Sequence, residues 1–327
     1  MLLKKLGKPT APQPVARVES FTIEGDAGPL PARVYTPAGT GPFPVLAYFH
    51  GGGWVLGGLE QYDASARALA NSAGCIVVSV GYRQAPEHPY PAAVKDAYAA
   101  FNDVVKEAKA LGGDPRRVAV AGEGSGASLA AAVCLMAMEH RTTAPLHQLL
   151  ICPLTSPRFD SDSYQKNPNA RPYSKADMQW FYKNYLSKKE QAKSPYVSLL
   201  NKPVADLPSA TVIVAELDPA AWEGQAYHRL LENNAVNSQL GLYSGVTADF
   251  FGTGAVVAKA RKAQDFAGQR LRKAFTINRP GAPWKRPKKA KDAKPKTPSS
   301  SGSSAPAAPS APPASRPTRT PPAQPSP

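Results

Sequence analysis

Short apolar runs and longer segments of helical spacing alternate along most of the chain. Runs rich in Val, Ile, Leu and aromatic residues fall at Arg17–Ile23, Ala32–Tyr35, Val45–Phe49, Cys75–Val80, Arg117–Ala121, Gln148–Cys152, Thr211–Glu216 and Gln239–Tyr243. Each has strand length and is bounded by turn-forming residues. Helical spacing fills most gaps, at Tyr62–Ser72, Ala92–Leu111, Gly126–Glu139, Ser174–Leu186, Glu223–Asn233 and Gly254–Phe275. Runs that are apolar at every position, such as Ile76-Val77-Val78-Ser79-Val80, suit a sheet covered on both faces. Strand–helix alternation then predicts an α/β class with a mostly parallel sheet of eight strands and helices on both faces. Thr155–Lys202 interrupts the alternation and reads as an insertion over the C-terminal sheet edge, a partial cap.

Two glycine-rich turns carry the candidate chemistry. The first follows the fifth apolar run and reads Gly122-Glu123-Gly124-Ser125-Gly126 before a helical segment. This is the frame of a nucleophile elbow, G-x-S-x-G, with glycine where the serine belongs. A register centred on Ser125 would put Glu123 and Ala127 at the flanks, where small residues are needed, so Gly124 is taken as the centre. The second turn, His50-Gly51-Gly52-Gly53-Trp54, follows the third run. A glycine run at a strand end lets backbone N–H groups converge without side-chain obstruction, as in an oxyanion hole.

Composition adds a boundary. The formal charge of +15 is concentrated at the C-terminus, where ten basic residues stand against one acid from Arg279 onward. Fourteen prolines fall in the last 48 residues, mixed with Ala and Ser. Such a segment buries too little apolar surface to offset its ordering entropy, so 279–327 is expected to be a disordered tail. Its cluster Lys285, Arg286, Lys288, Lys289, Lys291, Lys294 and Lys296 suits non-specific binding of a polyanion. Residues 1–12 read as a short N-terminal segment and 13–278 as the folded domain, with 155–202 as its cap-like insertion. Cys75, Cys134 and Cys152 lie in apolar runs without metal-ligand spacing and read as buried thiols. No metal and no cofactor is expected. The sequence shows no signal peptide and no membrane span, which implies a cytoplasmic location.

The motifs together resemble the hormone-sensitive-lipase-type branch of the α/β-hydrolases, the bacterial carboxylesterases with an HGGGW motif. The resemblance covers roughly residues 13–275. It rests on His50–Trp54, Tyr62-Asp63-Ala64-Ser65, Tyr82-Arg83-Gln84-Ala85-Pro86-Glu87-His88-Pro89, Ala215–Pro219 and Tyr243–Gly252. It implies an oxyanion hole from the N–H groups of Gly52, Gly53 and Ser125, and a triad acid at Asp218. It puts the nucleophile position on Gly124 and the triad histidine position on Ala248, so both side chains are missing. Gly81 replaces the aspartate before Tyr-Arg, Ala220-Ala221-Trp222 replaces Leu-Arg-Asp, and Asp249 stands where small residues are common. Only about a dozen residues precede the first strand, so the family's N-terminal cap helices are expected to be missing.

Of the five histidines, none falls at the triad position; His140 and His147 are expected to be solvated, and His228 to face solvent or a neighbouring helix. A triad needs a hydroxyl, a base and a group that orients the base. The residues therefore predict a catalytically inactive pseudo-esterase that binds a small acyl-like or apolar ligand or serves as a regulatory or scaffold protein. His50, Gly51, Trp54 and Glu123 would line its pocket. Two alternatives stand beside this: a carboxylic ester hydrolase of the short-chain esterase/lipase type with weak or unconventional activity, and polyanion binding through the tail. The resemblance also implies a homodimer through the last strand and last helix.

Overall fold

The computed structural model describes residues 12–276. Eight strands form one sheet: β1 (Arg17–Gly25), β2 (Gly28–Thr36), β3 (Phe43–Phe49), β4 (Ile76–Val80), β5 (Gly113–Glu123), β6 (His147–Ile151), β7 (Ser209–Ala215) and β8 (Ser238–Tyr243). Their order across the sheet is β1-β2-β4-β3-β5-β6-β7-β8. The β1–β2 and β2–β4 pairs are antiparallel, and every pair from β4–β3 to β7–β8 is parallel. All eight apolar runs of the sequence are strands, and the α/β class with a mostly parallel sheet is the observed architecture.

The helices are α1 (Asp63–Ala73), α2 (Ala92–Glu107), α3 (Ser125–His140), α4 (Asp162–Lys166), α5 (Lys175–Tyr185), α6 (Ala221–Asn233) and α7 (Ala258–Thr276). Alternation along the central strands sends side chains to two cores, because successive residues point to opposite faces. Val45, Ala47 and Phe49 of β3 join Phe101 and Val104 of α2, Leu129 and Val133 of α3, and Tyr227 and Leu231 of α6. Leu46 and Tyr48 join Leu69 and Ala70 of α1 and Ala263, Ala267 and Leu271 of α7. Helices α2, α3 and α6 therefore cover one face, and α1 and α7 the other. Helix α3 is apolar around most of its circumference and buries every residue from Ser125 to Leu135. Such a helix belongs inside, between sheet and further helices, and not on a surface.

Polar anchors fix the connections. Asp96 of α2 is fully buried and accepts from the Arg83 backbone N–H and from its guanidinium Nε and Nη2 at 3.0, 2.8 and 2.7 Å. That bidentate pair ties the Tyr82–Pro89 segment to α2. Ser174 caps α5 through a reciprocal box with Asp177, so the insertion between β6 and β7 contains a well-terminated helix. The last helix begins at Ala258 and not at Gly254. A 3-10 turn at Phe251–Thr253 comes first, and its Thr253 carbonyl accepts from Val256 and Val257.

Candidate active site

The C-terminal ends of β3, β5, β7 and β8 deliver their loops to one place, the edge where parallel sheets hold ligands. A pocket opens there, with Gly52, Gly53, Gly124, Ser125, Asp218, Ala248 and Asp249 among its walls. Thus the glycine loop, the elbow and both later loops meet, although they are scattered over almost two hundred residues of sequence.

The turn after β5 centres on Gly124, with φ 53° and ψ −118°. A Cβ built there meets nothing nearer than the Gly51 Cα at 3.8 Å. The two flanking glycines have no such room. A Cβ on Gly122 would strike the Gly126 carbonyl, and a Cβ on Gly126 would strike the Phe49 and His50 carbonyls. The Gly124 N–H donates to the Ile151 carbonyl at 2.8 Å, which pins the elbow to the end of β6. Ser125 begins α3, so its N–H and the positive end of the helix dipole face the pocket. The Ser125 hydroxyl is buried without a well-formed hydrogen bond and lies near the Tyr82 hydroxyl.

The glycine loop is held open by its own backbone. Gly52 and Gly53 have φ of 102° and 64°, and the Gly52 carbonyl accepts from Val55 and Leu56 at 3.2 and 2.9 Å. A side chain at Gly52 would strike the Leu56 carbonyl, and one at Gly53 the Phe181 ring. The Gly52 and Gly53 N–H groups make no hydrogen bond to any described residue and line the pocket. Of the residues expected to line it with them, only Glu123 does. His50, Gly51 and Trp54 lie behind the loop. His50 stacks on Tyr82 at 4.4 Å and shares a 2.8 Å hydrogen bond with the Gly51 carbonyl. Burial lowers its pKa to about 4, so it stays neutral. Trp54 is stacked on Tyr185 at 4.3 Å in the aromatic cluster under the insertion. The motif shows which residues form the loop, but strand twist and positive φ decide which of them turn inward.

Buried carboxyl groups are the main electrostatic feature of the pocket. Asp218, in the β7–α6 loop, is almost fully buried and accepts from the Ala220 N–H at 2.9 Å. Desolvation, with the Asp249 charge adding to it, pushes its pKa up to about 7. Asp249 lies in the loop after β8, with φ 62°, and accepts from the Tyr62 hydroxyl at 3.1 Å. Burial raises its pKa too, opposed by hydrogen bonds from Tyr173 and Tyr62. Glu123 accepts from the Tyr48 hydroxyl at 2.7 Å, and its burial raises its pKa to about 7. Glu223 lies behind Asp218 and accepts from the Thr155 and Ser156 N–H groups at 2.6 and 2.8 Å and the Tyr164 hydroxyl at 3.1 Å. Among the described residues no group of three His, Cys, Asp or Glu side chains is placed to hold a metal ion.

Glu223 and the wall formed by Tyr173, Met178 and Phe181 are not among the site residues expected from the sequence. A glutamate in the first turn of the helix after Asp218 was the available signal for the first. For the second there was none, because an insertion's packing is not periodic. His147 is a correction. It is buried, with Ser209 and Thr211 hydroxyls at 2.8 and 2.9 Å from its two ring nitrogens, where solvation had been expected. His140 is exposed, and His228 is half-buried with Ser238 Oγ at 2.8 Å. Cys75, Cys134 and Cys152 are free and buried. The basic cluster Lys285–Lys296 lies outside the described residues. No described helix is long and apolar enough to cross a membrane.

Comparison with known proteins places this architecture. The profile of the alpha/beta hydrolase fold family matches residues 46–252, and the chain belongs to that family, in its hormone-sensitive-lipase-like branch. The carboxylic ester hydrolase LipN of Mycobacterium tuberculosis is 39% identical over 67% of this chain, which spans 60% of LipN's length. The ethyl acetate hydrolase of Pseudomonas putida is 34% identical over 78% of this chain and 81% of its own. A solved Pyrobaculum calidifontis esterase superposes with a TM-score of 0.77 at 37% identity, covering 83% of this chain and 88% of the esterase. These relatives overturn the expectation of an inactive pseudo-esterase. At such identity over most of the chain the relatives are ester hydrolases, and they favour an enzyme over a binding or scaffold protein. Two absent side chains were too narrow a basis for excluding catalysis.

Proposed function

We propose that this protein is a carboxylic ester hydrolase acting on short-chain esters. The observation that carries the reading is the pair of Gly52 and Gly53 N–H groups, unbonded to any described residue, beside the α3 N-terminus at Ser125 in one pocket. Donors fixed in this way stabilise the negative oxygen that develops when an ester carbonyl is attacked. Its relatives with ester-hydrolase names support the same reaction class. Met178 and Phe181 close the apolar side of the pocket and favour short acyl groups.

The test is hydrolysis of p-nitrophenyl acetate, butyrate and octanoate by the purified full chain, against the same protein after heat inactivation. Turnover that is fastest on acetate or butyrate supports the reading. A rate on all three esters no greater than that of the inactivated sample would sink it.

A further inference from the structure

This inference rests on the ester-hydrolase reading and names the groups that would perform the chemistry. The elbow carries Gly124 at its centre, and Ala248 follows β8, so neither position offers a nucleophile or a base. Space remains where the elbow side chain would project, since a Cβ at Gly124 stands 3.8 Å from its nearest neighbour. The Ser125 hydroxyl is not a substitute, because it is buried at the start of α3 on the side of Tyr82. Two carboxyl groups, Asp218 and Asp249, border the same space as Gly124, Ala248 and the oxyanion-loop glycines.

We propose that Asp218 is the general base of a one-step hydrolysis in which water attacks the ester directly, with Asp249 as the charged neighbour that tunes it. The ester carbonyl oxygen points to the Gly52, Gly53 and Ser125 N–H groups. Water oxygen bonds to the carbonyl carbon while the Asp218 carboxylate takes one water proton. The tetrahedral intermediate then collapses, the bond to the alkoxy oxygen breaks, and the Asp218 carboxyl returns its proton to the leaving alcohol. The products are one carboxylic acid and one alcohol, and no acyl-enzyme forms.

The roles divide by hydrogen bonding. Asp218 has the Ala220 N–H as its hydrogen-bond donor, which leaves its second oxygen for water. Asp249 is held by Tyr62 and Tyr173 hydroxyls, whose hydrogen bonds oppose the upward pull of burial on its pKa. A base must be matched to the working pH, and burial beside a second charge raises Asp218 towards neutrality. The groups facing the pair are Glu223 and Cys152 around Asp218, and Tyr62, Tyr173 and Glu123 around Asp249.

The experiment compares the native chain with Asp218→Asn and Asp249→Asn on p-nitrophenyl acetate, with stopped-flow progress curves and treatment with a fluorophosphonate. Asparagine keeps the oxygen that accepts from Ala220, so Asp218→Asn retains the native loop contact. The native chain is expected to show linear release of nitrophenol from the first turnover and no fluorophosphonate adduct by mass spectrometry. Asp218→Asn is expected to lose at least roughly a hundredfold in kcat with KM little changed. Asp249→Asn is expected to move the rising limb of the kcat/KM–pH profile to lower pH, since Asp218 loses a like charge. An initial burst, an adduct on Ser125, or an Asp218→Asn rate within threefold of native overturns the water mechanism while the esterase reading stands. Absence of hydrolysis by the native chain overturns both.

Discussion

Placing serine at 124 and histidine at 248 together tests whether the elbow aims a side chain at the oxyanion loop. The backbone at Gly124, φ 53° and ψ −118°, is strained for a residue with a Cβ, at about 1–3 kcal/mol. There is no clash to add, because the nearest atom to the new Cβ is 3.8 Å away. A domain of this size loses about 2–4 °C in Tm per kcal/mol, so the variant should melt within roughly 12 °C of native. The gain in rate follows from what a serine–histidine pair adds. In a serine hydrolase the triad is worth about 10⁶-fold, and a general base acting on water about 10²–10⁴-fold. Gly124→Ser with Ala248→His should therefore raise kcat on p-nitrophenyl butyrate by about 10²–10⁴-fold and introduce an initial burst. Each single variant should do far less, because triad members act as a unit. The assay is stopped-flow nitrophenol release beside a thermal melt. A double variant that melts in the stated range yet shows neither burst nor acceleration refutes the reasoning. The turn would then not present position 124 to the Gly52 and Gly53 N–H groups.

Three further outcomes follow from the same geometry. Gly122→Ala should abolish folding, because its Cβ would strike the Gly126 carbonyl, whereas Gly74→Ala, with open space and only a positive φ, should lower Tm by a few degrees; circular-dichroism melts compare them. Phe181→Leu should shift preference towards hexanoate and octanoate esters by roughly tenfold in kcat/KM, since the ring closes the apolar side of the pocket; an unchanged chain-length profile would place acyl binding elsewhere. The protein should melt higher at pH 5 than at pH 8. Asp218 and Glu123 have folded pKa values near 7, raised above the ordinary carboxyl value, so their contribution is complete below about pH 4 and is lost as pH rises through 7. Two pH units on each group amount to about 2–3 kcal/mol, and Asp218→Asn should flatten part of that slope in a pH series of melts.

The strands were legible because period and composition agree. Ile76–Val80 is apolar throughout and is buried throughout, as a strand with helices on both faces must be. The elbow was legible for a different reason: Gly122 and Gly126 are demanded by backbone collisions that no other residue type avoids. Residue facing was harder to read. His50 and Trp54 belong to the pocket's motif but turn away into aromatic stacks with Tyr82 and Tyr185. His147 follows the exposed end of α3, yet it begins a central strand flanked by β5 and β7, and that position buries it. Neither outcome is encoded in spacing. Both depend on which elements the sheet order brings alongside.

The same limit explains why activity was misjudged from the motifs. A triad reading asks whether particular side chains stand at particular positions, and Gly124 and Ala248 answer no. It does not ask what the emptied volume is then bordered by. Here the border is Asp218 on one loop and Asp249 on the next, with Glu123 below the elbow; Asp218 and Glu123 are buried and Asp249 is half-buried. Carboxyl groups are costly to bury unless each finds donors. Asp249 and Glu123 have tyrosine hydroxyls, and Asp218 has one backbone N–H. Asp218 is therefore the carboxyl with the fewest donors, and it lines the same pocket as the oxyanion-loop glycines. A group that is desolvated, near neutral in its titration and short of donors is suited to bind and deprotonate water. The fold retains that group whether or not a serine stands at the elbow.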